Sequence, residues 1–290
     1  MYVRRPLRVP AASADDSRVA RRIFYWAATL VGGVVLGVST YAGLVKAGVA
    51  KNPFAPSAGG DLALARSSRP GHRVLFVGNS FTFRNDLPRL VHELSAGTDP
   101  VFAGSYTAGG WQLKWFAKDR GLDRLLHEVH WDVVVLQEQS QIPSFDAAYR
   151  AREFDPYVQA LAWKIEAAGA RPLLFLTWGY RTGDRHNVPR DTYAWMQQRL
   201  VDGYSNAARE VRAQIAPVGL AWAEALRRRP ELGLWADDDR HPSREGSYLA
   251  ACVFYATLTG KDPRLTRFTD GLSDARFLQH VAWDVARSRY

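Results

Sequence analysis

The chain has 290 residues, 47% of them apolar and 23% charged, with a formal net charge of +9. That length and apolar content fit one well-buried core of about 200 residues with a short remainder, and the single cysteine, Cys252, excludes an intrachain disulfide and a thiolate metal site. The charge is no nucleic-acid signature: six arginines and two lysines against two aspartates place +6 within residues 1–51 and leave +3 for the rest, with no basic stripe of interleaved aromatics.

In chain order, residues 1–22 read as a basic cytoplasmic tail, with Arg4, Arg5, Arg8, Arg18, Arg21 and Arg22 set against Asp15 and Asp16. Residues 23–45 carry no charge over a length that spans roughly 34 Å as a helix, enough to cross a hydrocarbon core. The positive flank then predicts a signal anchor with the amino terminus in the cytoplasm and the following domain outside it, periplasmic in a Gram-negative cell. Secretion after cleavage, near Gly48-Val49-Ala50, is the alternative; the apolar run is longer than a typical signal-peptide core. Residues 46–71, rich in Ala, Gly, Ser and Pro, read as a linker.

From residue 72 onward the pattern is alternating strand and helix. Strands are predicted at 73–77, 101–105, 133–137, 172–177 and 213–218. The clearest helix is 192–211, whose Tyr193, Met196, Leu200, Tyr204, Ala208 and Val211 form one apolar stripe, and a final helix is predicted over 274–287. Alternation of this kind implies an α/β fold of three layers, with a central parallel sheet of about five strands, flavodoxin-like, preceded by the one transmembrane helix.

Two segments carry chemistry. Arg73-Val74-Leu75-Phe76-Val77 leads into Gly78-Asn79-Ser80-Phe81-Thr82, a strand, a glycine turn and a hydroxyl delivered at the strand's carboxyl end, where open α/β sheets place their sites. Asp238-Asp239-Arg240-His241 sets a carboxylate three residues from an imidazole, so that Asp238 can fix the tautomer of His241 and His241 can take the proton of Ser80. His186 in its polar loop is the rival base, and the three-residue spacing of His127 and His130 does not fit a helical zinc pair.

These segments, from about residue 73 to 260, resemble the SGNH, or GDSL-type, hydrolase superfamily, in the subgroup whose first block reads Gly-Asn-Ser-Phe-Thr. The resemblance implies a serine ester hydrolase with Ser80 as nucleophile and Asp238 and His241 as its partners, in a catalytic domain spanning 72–290. It also implies an oxyanion site from the backbone N–H of Ser80 and of Gly110, with Gly109 as alternative, in Tyr106-Thr107-Ala108-Gly109-Gly110-Trp111. The family's block III asparagine is missing. In its place Leu136-Gln137-Glu138-Gln139-Ser140 offers two amides, of which Gln139 is preferred and Gln137 is the alternative donor. Trp111 and Trp178 are candidate aromatic platforms for a sugar ring. Such chemistry requires no cofactor and no metal.

The expected substrate is a small ester or an acylated carbohydrate, with O-acetyl groups foremost, and the membrane is the expected partner through residues 23–45. The alternatives are a lipid esterase or O-acyltransferase with the same triad, or an inactive binding protein on the same fold. Oligomeric state is not legible from the sequence.

Overall fold

The computed structural model describes residues 55–97 and 99–288. The predicted tail, the 23–45 span and the first part of the predicted linker therefore lie outside the described residues. Among the described residues no helix is long and apolar enough to cross a membrane.

Six strands form one sheet: β1 (Ser57–Gly60), β2 (His72–Gly78), β3 (Val101–Thr107), β4 (Val133–Leu136), β5 (Arg171–Phe175) and β6 (Gln214–Ala216), in the order β1-β3-β2-β4-β5-β6. Strands β2 to β6 are parallel, and β1 runs antiparallel to β3, with Ser57 opposite Thr107 and Gly60 opposite Gly104. The sequence reading took 46–71 as linker throughout; its last part instead belongs to the domain. Ser57-Ala58-Gly59-Gly60 lacks the apolar alternation by which a strand is recognised, and it pairs here through its backbone, closing the edge that β3 would otherwise expose.

The central strands are unbroken apolar runs because both faces of the sheet are covered. Val74 to Val77 of β2 are fully buried, and all of β4 is buried. One face carries α1 (Leu87–Ser95), the other α2 (Arg120–Glu128), α3 (Asp155–Ala167) and α4 (Tyr193–Val211); of the later helices α5 (Val218–Arg228), α6 (Arg244–Thr259) and α7 (Ala275–Ala286), α6 packs on α1 and all three pack on one another. The stripe predicted for 192–211 is the buried face of α4, with Met196, Leu200 and Tyr204 at zero exposure. Cys252 is buried in α6 among apolar neighbours and acts as packing.

Strand order reverses at β2, which lies between β3 and β4 while the chain proceeds outward to β5 and β6. The carboxyl ends of β2 and β4 are thus adjacent with their following loops parting to opposite sides, the crevice in which α/β folds hold ligands.

Candidate active site

Ser80 begins a single helical turn, Ser80–Phe83, directly after β2. Asn79 caps that turn, its side-chain oxygen accepting the Phe81 N–H at 3.2 Å. Ser80 itself follows the cap, so its own backbone N–H has no intrahelical partner and donates to no acceptor among the described residues. A glycine is required at 78: a Cβ there would collide with Thr82 Oγ1 and Gln137 Oε1.

Ser80 Oγ lies 2.8 Å from His241 Nε2. The other ring nitrogen, Nδ1, donates to Asp238 Oδ2, and that pairing assigns the tautomer in which Nε2 is the free base for the hydroxyl. The second carboxylate oxygen, Oδ1, accepts the backbone N–H groups of His241 at 2.9 Å and Arg240 at 3.1 Å. Partial burial pushes the Asp238 carboxyl up, but the hydrogen bonds from the His241 ring and from the two backbone N–H groups outweigh it and hold its pKa down to about 2. Asp238 is therefore a carboxylate throughout the neutral pH range.

The loop carrying the pair is fixed from three sides. It closes as a short hairpin, with Trp235 bridged to Pro242 and Ala236 N–H donating to His241 O at 2.9 Å. Trp178 Nε1 donates to Arg240 O at 3.0 Å, and Asn85 Nδ2 reaches Pro242 O at 3.1 Å and Ser243 O at 2.9 Å. The half-exposed Asp239 side chain pairs with Arg181 at 3.0 Å. Beneath the site runs an aromatic column in which Phe81 stacks on Trp178 at 4.6 Å and Trp178 on Trp222 at 4.1 Å, while Phe81 and the His241 ring meet in a T-shaped contact at 5.6 Å. Trp178 is fully buried in that column. It therefore cannot serve as the substrate platform proposed from the sequence; its place next to a strand end gave no sign of what lay on either face.

The glutamine candidates separate by what their hydrogens already do, the glycines only by backbone conformation. Gly110 has φ +69 and Gly109 an ordinary φ, with open space where a side chain would be at both; like Ser80, neither glycine donates its N–H to an acceptor among the described residues. Gln137, the alternative amide donor, is fully buried and fully engaged. Its Oε1 accepts the Asn79 N–H at 2.8 Å and the Thr82 hydroxyl at 2.9 Å, and its Nε2 donates to Asn79 Oδ1 at 3.0 Å and to the Glu138 carbonyl. That excludes it as an oxyanion donor and gives it another role, clamping the nucleophile turn. Gln139 is part-exposed, and one of its two amide hydrogens goes to Gln141 Oε1 at 3.1 Å, leaving the second.

Sequence reasoning assigned no role to Asn79, Asn85 or Glu138. Asn79 Nδ2 donates to the Trp111 carbonyl at 2.9 Å and so ties the nucleophile turn to the glycine loop. Trp111 is partly buried, edge-on to Trp115 at 5.9 Å, and Trp115 is 43% exposed. His186, the rival base, is exposed in the loop after β5, and the neighbouring Asp184 accepts from Asn187 instead of orienting it. His127 and His130 are both exposed near the end of α2 and belong to no cluster of metal-ligating side chains among the described residues.

No protein-family model and no curated protein matches the sequence. Among solved structures the chain is similar to a protein from Slackia heliotrinireducens assigned as an SGNH hydrolase, at 31% identity and a TM-score of 0.53, covering 65% of this chain and 99% of that one. It also shares its fold with a DUF4886 family protein from Bacteroides uniformis, at 19% identity and a TM-score of 0.63, covering 74% of this chain and 95% of the other.

Proposed function

The chain belongs to the SGNH hydrolase superfamily, and from that premise we propose that it is a serine ester hydrolase working through Ser80, His241 and Asp238. The observation that carries this reading is the continuous relay: Ser80 Oγ at 2.8 Å from His241 Nε2, with Nδ1 of the same ring on Asp238.

In the first step Ser80 Oγ attacks the ester carbonyl carbon and its proton passes to His241 Nε2. Asp238 stabilises the imidazolium without taking its proton. The carbonyl oxygen becomes an oxyanion held by the N–H groups of Ser80 and Gly110, with the remaining Gln139 hydrogen as third donor. Collapse of the tetrahedral intermediate breaks the bond to the leaving alkoxide, which receives the proton from Nε2. Water, deprotonated by the same nitrogen, then attacks the acyl-enzyme and releases the acid and free Ser80.

The substrate we favour is a short acyl ester, of O-acetyl type, on a carbohydrate. Two features support it: the aromatic surface of Trp111 and Trp115 beside the glycine loop, suited to a sugar face, and the uncharged 23–45 segment with its basic flank, which would tether the domain outside the cytoplasm, where acylated envelope glycans lie. The test is product analysis with an acetylated oligosaccharide. Stoichiometric free acetate, lost on Ser80→Ala, supports the hydrolase; acetyl transfer to an added sugar acceptor would make it a transferase, and preference for long acyl chains would make it a lipid esterase.

A further inference from the structure

Glu138 carries a carboxyl group just past the end of β4 with zero exposure and no cation within ion-pair distance among the described residues; the charged groups that act on it, Lys114 and Glu153, pair with each other at 2.9 Å. Burying a carboxyl group this way is unfavourable unless its oxygens are satisfied. Asp191, the other carboxyl group at zero exposure among the described residues, has a bidentate bond from Arg199. Among the described residues Glu138 has only backbone donors: Gln139 N–H at 2.6 Å, and Leu113 N–H shared between its two oxygens at 3.2 and 3.3 Å.

Those donors lie on two separate loops, and one of them is the loop of Gly110. Residues 108–113 are pinned at three points: Ala108 N–H on Gly78 O at 3.2 Å, the Trp111 carbonyl under Asn79 Nδ2 at 2.9 Å, and Leu113 N–H on Glu138. The first two anchors belong to the nucleophile segment itself. Only the third comes from β4, and it fixes the far end of the glycine loop. Glu138 is in turn held rigid, its carbonyl accepting from Gln137 Nε2 and its N–H reaching the Tyr204 hydroxyl at 3.3 Å. Gln137, one residue earlier, clamps Asn79 and Thr82. Adjacent side chains at the end of one strand therefore grip the nucleophile turn and the oxyanion loop respectively.

We propose that Glu138 is a positioning residue that sets the Gly110 N–H against the Ser80 turn, making the Gln137-Glu138 pair the device that registers the two halves of the oxyanion site. The proposal rests on the serine hydrolase reading given above. Beside the direct side-chain donor that Gln139 offers, the same strand end orients a backbone donor through a buried acceptor. Because Gly110 would meet the substrate only as charge develops on the carbonyl oxygen, misplacing it should slow turnover and leave ground-state binding almost unaltered.

The experiment compares the full chain with Glu138→Met and Glu138→Gln, using hydrolysis of a short-chain nitrophenyl ester and the rate of fluorophosphonate labelling, with thermal unfolding to confirm folding. Met keeps the shape and removes both acceptor oxygens; kcat and the labelling rate should fall about 30- to 100-fold, with KM within about threefold of wild type. Gln keeps Oε1 as an acceptor and should restore kcat to within about threefold. Should Glu138→Met not fold, Glu138→Asp, which withdraws the carboxylate by one methylene, takes its place with the same expectation. A folded Met or Asp variant with wild-type kcat, or a Gln variant that loses as much as Met, overturns the positioning role. A wild-type chain that neither turns over ester nor takes the probe overturns the hydrolase reading on which it rests.

Discussion

Replacing Asp238 by asparagine should nearly abolish turnover without disturbing the fold, and the hydrogen bonds around it say why. Oδ1 accepts two backbone N–H groups, from Arg240 and His241. An asparagine must keep its carbonyl oxygen there, since an amide nitrogen would face two donors, so its NH2 group necessarily points at His241 Nδ1. That nitrogen must then become the acceptor, the ring proton moves to Nε2, and the atom 2.8 Å from Ser80 Oγ ceases to be a base. A loss of roughly 10³–10⁴ in kcat with little change in KM is expected, the scale seen when a triad histidine is locked in its wrong tautomer. Stability follows a separate rule. The Asp238 pKa is depressed to about 2, so its contribution is fully present above the unfolded value and is lost as pH falls through the folded one. At a side chain 44% exposed, solvent screening reduces that contribution to about 1 kcal/mol. Steady-state kinetics on a short nitrophenyl ester from pH 5 to 9, with urea denaturation at pH 7, measures both. An Asp238→Asn variant that keeps a tenth or more of wild-type kcat would refute the reasoning.

The two glutamines should separate by assay: Gln139→Ala lowers kcat by roughly 10²–10³ at unchanged melting temperature, whereas Gln137→Ala, which strands the Asn79 N–H and the Thr82 hydroxyl, loses about 2–4 kcal/mol in urea denaturation. Equal small kinetic losses from both would leave Ser80 and Gly110 as the only oxyanion donors. Trp178→Ala removes the middle ring of the buried aromatic column and should destabilise the domain by about 3–5 kcal/mol in the same denaturation measurement; a loss under 1 kcal/mol would mean the column does not hold the site. Burial raises the Glu138 pKa to about 8, backbone donors opposing it. The folded state thus binds this proton more tightly than the unfolded one, and stability declines as pH rises from the unfolded value near 4.5 toward 8, by at most about 5 kcal/mol, then levels off. Glu138→Gln should remove that decline; a Gln variant with the wild-type pH slope would show that Glu138 does not produce it.

The centre of the sheet was legible because β2 and β4 carry unbroken apolar runs that a doubly covered parallel sheet buries, and helix 192–211 because its stripe repeats at helical spacing. β1 was not, since Ser57-Ala58-Gly59-Gly60 joins by backbone pairing alone and has no side-chain pattern. Ser80, His241 and Asp238 stand out by residue type and local spacing, and the structure brings them together across 161 residues of sequence separation. What the sequence could not sort was the amide and aromatic candidates. Gln137 and Gln139 both follow β4 in irregular backbone, with no periodicity to say which amide turns inward and which stays part-exposed, and Trp111 and Trp178 differ only in what packs on their faces. Glu138 was unreadable for a related reason: a carboxylate after a strand ordinarily meets solvent, and its burial depends on the Leu113 loop folding over it.

The most direct measurement is active-site labelling with a fluorophosphonate probe, followed by peptide mapping of the modified residue. The account predicts stoichiometric modification of Ser80 in the wild-type chain, none in Ser80→Ala, and labelling slowed by about 10³-fold or more in His241→Ala, because the hydroxyl then lacks its base. A well-folded wild-type chain that remains unlabelled, or label found on a residue other than Ser80, would contradict it.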